Sequence, residues 1–280
     1  MVMQRWQADI YRRPFRDDAG NVLWELLVCT DAGSPVIQVR CPQSQVSLEW
    51  LTAQIQTGLG EGQPTEIQVF RPQSLNLLRP ACEPLGIAVQ PTRYVPALKA
   101  LLRQEQDVYA SIAGYTGQPF DPLLVEKLPP TPIPDRLLGK TWRFGAIAAS
   151  DLEPMMGDRP IPIKVMPEHR LPVHLKLAST TLIPGIVVEG GRQSMALARW
   201  VQDTHPVALN YIPGAPDGLI LEAGLAERWV FLTFDDPTMR AAANLYGDRL
   251  QAAQGLHFLL IQPDESGMTY SGFWLLRDEG

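Results

Sequence analysis

No apolar run in this sequence is long enough to cross a bilayer, because Pro, Gly or a charged residue interrupts every one. The opening stretch, MVMQRWQADIYRRPF, lacks the apolar core of a secretory signal and the Ser/Arg-rich character of a transit peptide. The expectation is therefore a cytoplasmic protein with no membrane insertion. Cysteine is scarce: Cys29, Cys41 and Cys82 cannot all pair and show no metal spacing, which predicts small buried thiols in a reducing compartment. His169, His174, His205 and His257 lack ligand spacing as well. Gly190-Gly191 precedes a helical stretch without the Lys and Ser/Thr of a phosphate loop. No resident metal, cofactor or catalytic residue is expected. A basic surplus is also missing: 24 Lys and Arg stand against 30 Asp and Glu, for a net charge of −6, which offers phosphate no general attraction.

What is present suits a globular α/β protein of two domains. The 280 residues are 45% hydrophobic and 19% charged. Trp6–Pro14, Val22–Thr30 and Val36–Cys41 read as strands, with a turn at Asp17–Asn21. Ser47 caps a helix that carries Trp50, Leu51 and Ile55 at helical spacing. Glu66–Phe70 and Ile87–Gln90 are further strands, Leu75–Leu85 a helix broken near Pro80, and Val95–Ile112 the longest helix. This βββαβαβα order predicts a ribonuclease H-like domain over residues 1–113, by topology alone. The Pro/Gly-rich residues 114–134 read as a linker. Residues 135–280 read as a mixed α/β domain with a largely antiparallel sheet. It has strands near 142–149, 186–189, 207–212, 219–221 and 229–234, and helices over 193–203 and 237–254. Asp236 and Pro237 supply the cap and first turn of the later helix. Met155–Pro172 reads as a long proline-rich loop. Leu256–Gln262 and Met268–Leu276 form a closing hairpin, with Trp274, Leu275 and Leu276 packed inside.

The first hairpin is the candidate binding surface. Arg5, Arg12, Arg13 and Arg16 interleave with Trp6, Tyr11 and Phe15, and guanidinium groups with aromatic faces suit phosphates and unpaired bases. The plain alternative is a core Trp6 with arginines paired to Asp17, Asp18 and Glu25. Alternation along strand one sets Tyr11 and Arg13 opposite Ala8 and Ile10, while Arg40 and Arg71 end neighbouring strands. The expected rim of RNA-binding residues is thus Tyr11, Arg13, Arg40 and Arg71. Asp9 and Glu49 stand where a ribonuclease H-like nuclease holds its metal carboxylates, but Arg71-Pro72 follows strand four where a further acid is needed, and Asp107 is a weak substitute. A degenerate or live nuclease remains a minor reading.

Several collinear blocks resemble a known family. GLHFLLIQPD (255–264) and GFWLLRD (272–278) look like the C-terminal signature, with its Trp-Leu-Leu tripeptide, of the Tab-type RNA-binding translation activators of oxygenic phototrophs. Trp6, Asp9, Arg13-Pro14, Gly20 and Trp24-Glu25-Leu26 resemble its opening hairpin. FRPQ (70–73), PACEPLGI (80–87), PDRLLGKTWRFG (134–145), Ile183–Gly185 and LILEAGLAERW (219–229) follow in order. The resemblance implies binding of single-stranded, A/U-rich RNA leaders and a role in translating photosystem reaction-centre subunits, with translation or assembly proteins as further partners. Against the acidic total, three accounts stay open: basic residues gathered on one face, affinity from base stacking, or a photosystem assembly factor that works mainly through protein contacts.

Overall fold

The computed structural model describes residues 4–137 and 139–279. Two units make up the chain, one running to Glu126 and taking in Glu279, the other spanning Lys127–Asp278.

The first unit opens with β1 (Arg5–Arg16), β2 (Val22–Thr30) and β3 (Pro35–Pro42). Asp17 closes the first turn by accepting from the backbone N–H groups of Ala19 (3.0 Å) and Asn21 (2.8 Å), and Gly20 takes the left-handed φ of +82° that the turn needs. There follow α1 (Leu48–Gly58), β4 (Glu66–Val69), α2 (Pro72–Cys82), β5 (Ala88–Pro91) and α3 (Pro96–Val108). The expected element order is present, and the sheet runs β3-β2-β1-β4-β5. β1 pairs antiparallel with β2 and parallel with β4.

Both faces of this sheet are covered. On one, Trp6, Ala8 and Ile10 pack with Leu51 and Ile55 of α1 and Leu78 of α2. On the other, Leu27, Cys29 and Phe70 pack with Leu98 and Leu102 of α3. α2 begins three residues earlier than expected because Pro72 suits the first helical position, and it continues through Pro80. Ser47 Oγ accepts from Trp50 N–H at 3.1 Å, the expected cap of α1. Ser47→Ala is expected to cost the first unit about 1 kcal/mol, measured by urea unfolding.

The second unit holds β6 (Thr131–Pro132), β7 (Thr141–Ala148), α4 (Ala149–Met156), β8 (Ile163–Val165), β9 (Leu182–Glu189), α5 (Ser194–Thr204), β10 (Pro206–Ile212), β11 (Asp217–Ala223), β12 (Glu227–Phe234), α6 (Pro237–Ala252), β13 (His257–Gln262) and β14 (Gly272–Leu276). One sheet is ordered β10-β11-β12-β6 and the other β7-β9-β13-β14-β8. A shared core joins Leu209, Leu221 and Phe231 of the first to Ile186, Leu259 and Trp274 of the second. α4 covers the far face of the five-stranded sheet through Leu152 and Met156. At 16 residues α6, not α3 with 13, is the longest helix described. Asp236 caps it, accepting from Thr238 N–H at 2.7 Å.

The segment 155–172 is not a single loop. It contains the end of α4 and all of β8, which pairs parallel with β14. β8 lies at the sheet edge, where Pro162 and Pro167 beside it cost no ladder bond. The expected linker is held down at both ends. Arg16 N–H donates to Gly114 O and Thr116 N–H to Pro14 O, both at 2.9 Å, while Thr131–Pro132 pairs with β12.

Candidate nucleic-acid interface

β1 is the central strand of its sheet, and its register gathers the expected residues. Tyr11 lies opposite Glu25 on β2, and Glu25 opposite Arg40 on β3. Asp9 and Arg13 share the strand face of Tyr11. Arg71 ends the β4 segment and precedes α2. All four expected residues therefore meet, with Arg13 and Arg71 inside a buried charge cluster and Tyr11 and Arg40 half-buried at its edge, and not as an open rim.

Arg13 donates to Glu25 at 2.8 Å and to Asp9 at 3.0 Å. Arg71 donates to Asp9 at 3.1 Å, to Pro122 O at 2.7 Å and to Leu124 O at 2.5 Å. Ser74 Oγ donates to Asp9 at 2.7 Å. Arg40, half-buried, donates to Glu25 at 2.8 Å and lies 4.3 Å over the Phe15 ring. Arg13 and Arg71 are only 2% and 1% exposed, which corrects the expectation that they face solvent. α3 and the stretch around Leu123 and Val125 cover this side of the sheet. A guanidinium survives such burial only with its charge and donors matched, and Asp9 and Glu25 match them. Tyr11 is half-buried, with the Arg71 guanidinium 4.1 Å from its ring.

Burial alone would raise the Asp9 carboxyl, but the charges of Arg71 and Arg13 and the Ser74 hydroxyl hold it below its ordinary 3.8. Asp9 is thus an ion-pair acceptor, while Glu49 sits exposed in the first turn of α1. Among the described residues, no three His, Cys, Asp or Glu side chains are grouped to hold a metal ion.

Beside the cluster lies a groove of about 480 Å³. The end of β1 lines it, where the pairing register with β2 shifts between Arg12 and Arg16. Such bulges re-aim side chains. Tyr11, Arg13 and Phe15 line it from β1, and Gln118, Phe120 and Leu124 from the stretch after Gly114. Arg12 and Arg16 are exposed at its margin; Arg12 lies 3.7 Å from Glu126, and Arg16 donates to Gly20 O at 2.6 Å. Sequence reasoning missed Gln118 and Phe120 because they fall in the proline-rich run. The available signal was the aromatic pair Tyr115 and Phe120 within it.

The other candidates are structural. Cys29, Cys41 and Cys82 are free and buried, and burial pushes the Cys29 and Cys82 thiols up to about 11. Trp274, Leu275 and Leu276 are buried, with Trp274 Nε1 donating to Gln202 at 3.1 Å.

Two family descriptions match this chain: "RNA-binding protein Tab2/Atab2 N terminal" over residues 5–105 and "RNA-binding protein Tab2/Atab2, C-terminal domain" over residues 120–277. "Protein TAB2 homolog, chloroplastic" of Zea mays is 29% identical over 99% of this chain and 72% of its own length. The protein of the same name in Arabidopsis thaliana is 28% identical over 99% and 75%. A chain of the simian T-cell lymphotropic virus intasome in complex with PP2A regulatory subunit B56 gamma overlaps 50% of this chain and 61% of its own, with 12% identity and a TM-score of 0.28, too loose a likeness to bear on fold or function.

Proposed function

The chain belongs to the Tab2/Atab2 family of RNA-binding proteins, and from that premise we propose that it binds single-stranded RNA, prefers A/U-rich leaders, and promotes translation or biogenesis of photosystem reaction-centre subunits. It acts in the cytoplasm, catalyses no reaction, and works beside translation or photosystem assembly proteins. The observation that carries this reading is the pair of family matches, 5–105 and 120–277, which together run nearly the length of the chain. The relatives in maize and Arabidopsis are named chloroplastic, which fits a role in photosynthesis. The three buried free thiols fit a reducing compartment. The leader preference and the photosystem target follow from the family resemblance.

The net charge of −6 favours one rival, a protein-binding assembly factor with weak RNA affinity. Titration of a short A/U-rich single strand at several salt concentrations separates the two. Arg12 and Arg16 are the exposed cations of the groove. Neutralising one or two phosphates gives an expected slope of log affinity on log salt of about −0.7 to −1.4. Saturable binding with that shallow slope is the expected result. No binding even at low salt would hand the case to the rival. Labelled RNA incubated with magnesium is expected to stay intact, since Asp9 is committed to two arginines.

A further inference from the structure

We propose that the groove at the end of β1 is a nucleobase pocket, which takes one unpaired base of single-stranded RNA against Phe120 and Tyr11 while the strand's phosphates turn outward to Arg12 and Arg16. This rests on the RNA-binding reading and goes beyond it by assigning a site and a mode. The groove, about 480 Å³, falls within the range of small-ligand pockets and is too small for a duplex. Its lining mixes aromatic faces with polar side chains, as a base needs: a π-face to stack on and partners for its edge.

One of the lining side chains carries a spare donor. Arg13 lines the groove and is 2% exposed, and its Nε and Nη2 are taken by Glu25 and Asp9. Its Nη1 has no hydrogen-bond partner among the described residues. A buried donor left unmade is unfavourable, and a base edge that reached it would gain by supplying the acceptor. Ring carbonyls and ring nitrogens of bases are such acceptors. Charge argues for a base and against simple phosphate capture. Arg12 and Arg16 at the groove are offset by Asp121 and Glu126, so the local field is weak and stacking must supply most of the affinity.

The full-length chain is titrated with a fluorescent ten-nucleotide A/U-rich single strand. Phe120→Leu keeps an apolar side chain and removes the ring; it is expected to weaken binding about 5- to 100-fold with the salt slope unchanged. Gln118→Ala, at an exposed position, is expected to weaken binding several-fold. Arg16→Ala is expected to flatten the slope by about 0.7. 4-Thiouridine in the strand is expected to crosslink to Tyr11 or Phe120. If the wild type binds but Phe120→Leu and Gln118→Ala bind as tightly, with unchanged circular dichroism and melting, the pocket assignment fails while the RNA-binding reading stands. If Phe120→Leu does not fold, Gln118→Ala and the crosslink decide. Displacement of the strand by equimolar AMP or UMP would reassign the pocket to a free nucleotide. Absence of any binding by the wild type would remove both readings.

Discussion

Asp9→Asn destabilises the first unit by about 3–5 kcal/mol, the expected cost of leaving buried guanidinium charge without its counter-charge. Asp9 is fully buried and accepts from Arg13, Arg71 and Ser74. Urea unfolding measures the loss, and hydrogen exchange of the β1 amides assigns it to this unit. Arg71→Met carries a comparable cost because it strands Asp9 and frees the Pro122 and Leu124 carbonyls. Asp9→Leu with Arg71→Met removes one charge of each sign and leaves Arg13 with Glu25. The double variant should therefore lose much less than the two single costs added together. Strict additivity would show that the charges are not coupled. Acid acts on the same bond. Asp9 titrates below its unfolded 3.8, so its contribution is complete above that pH and disappears as pH falls through the depressed folded value.

A second large effect sits in the other unit and has a different pH window. His257 is buried in β13, with Nε2 accepting from Leu209 N–H at 2.8 Å and Nδ1 donating to Gly255 O at 2.8 Å. Burial drives its pKa from 6.5 down to about 4, helped by the Arg170 charge and opposed by the Gly255 carbonyl and Asp278. The unfolded chain takes up a proton below 6.5 that the folded one refuses until about 4. Stability of the second unit should be full above pH 6.5 and fall by about 3 kcal/mol as pH drops to 4, at roughly 1.4 kcal/mol per pH unit. Urea midpoints across that range measure it. In His257→Gln the starting stability is lower, but this slope should vanish; a slope that persists would assign the effect to other groups.

Much of the fold could be read directly. β2, Val22–Thr30, has the expected limits, and the caps at Ser47 and Asp236 lie where side-chain chemistry puts them. The closing hairpin forms, although β14 begins at Gly272 and not at Met268. What failed was proline read as loop. Within Met155–Pro172, β8 runs between Pro162 and Pro167, because a sheet edge tolerates what a central strand cannot. The burial of two site residues was hidden for a different reason. Arg13 and Arg71 read as surface residues because arginine is rarely buried alone. Their burial depends on Glu25 on the next strand and on Asp9, 62 positions before Arg71. Alternation along a single strand contains neither pairing. The groove wall at Gln118 and Phe120 depended on a long-range tie, Arg71 to the 122–124 carbonyls, that no local pattern records.

That tie has an evolutionary consequence. Arg71 holds both the Asp9 carboxylate and the chain segment that forms the groove wall, so a lineage cannot change position 71 alone without exposing two defects at once. Positions 9 and 71 should therefore be substituted together across homologues, acid with base or apolar with apolar. Where the pair has been lost, the residues aligned with 122–124 should be freer to vary, since the two carbonyls that Arg71 holds would lose that tie.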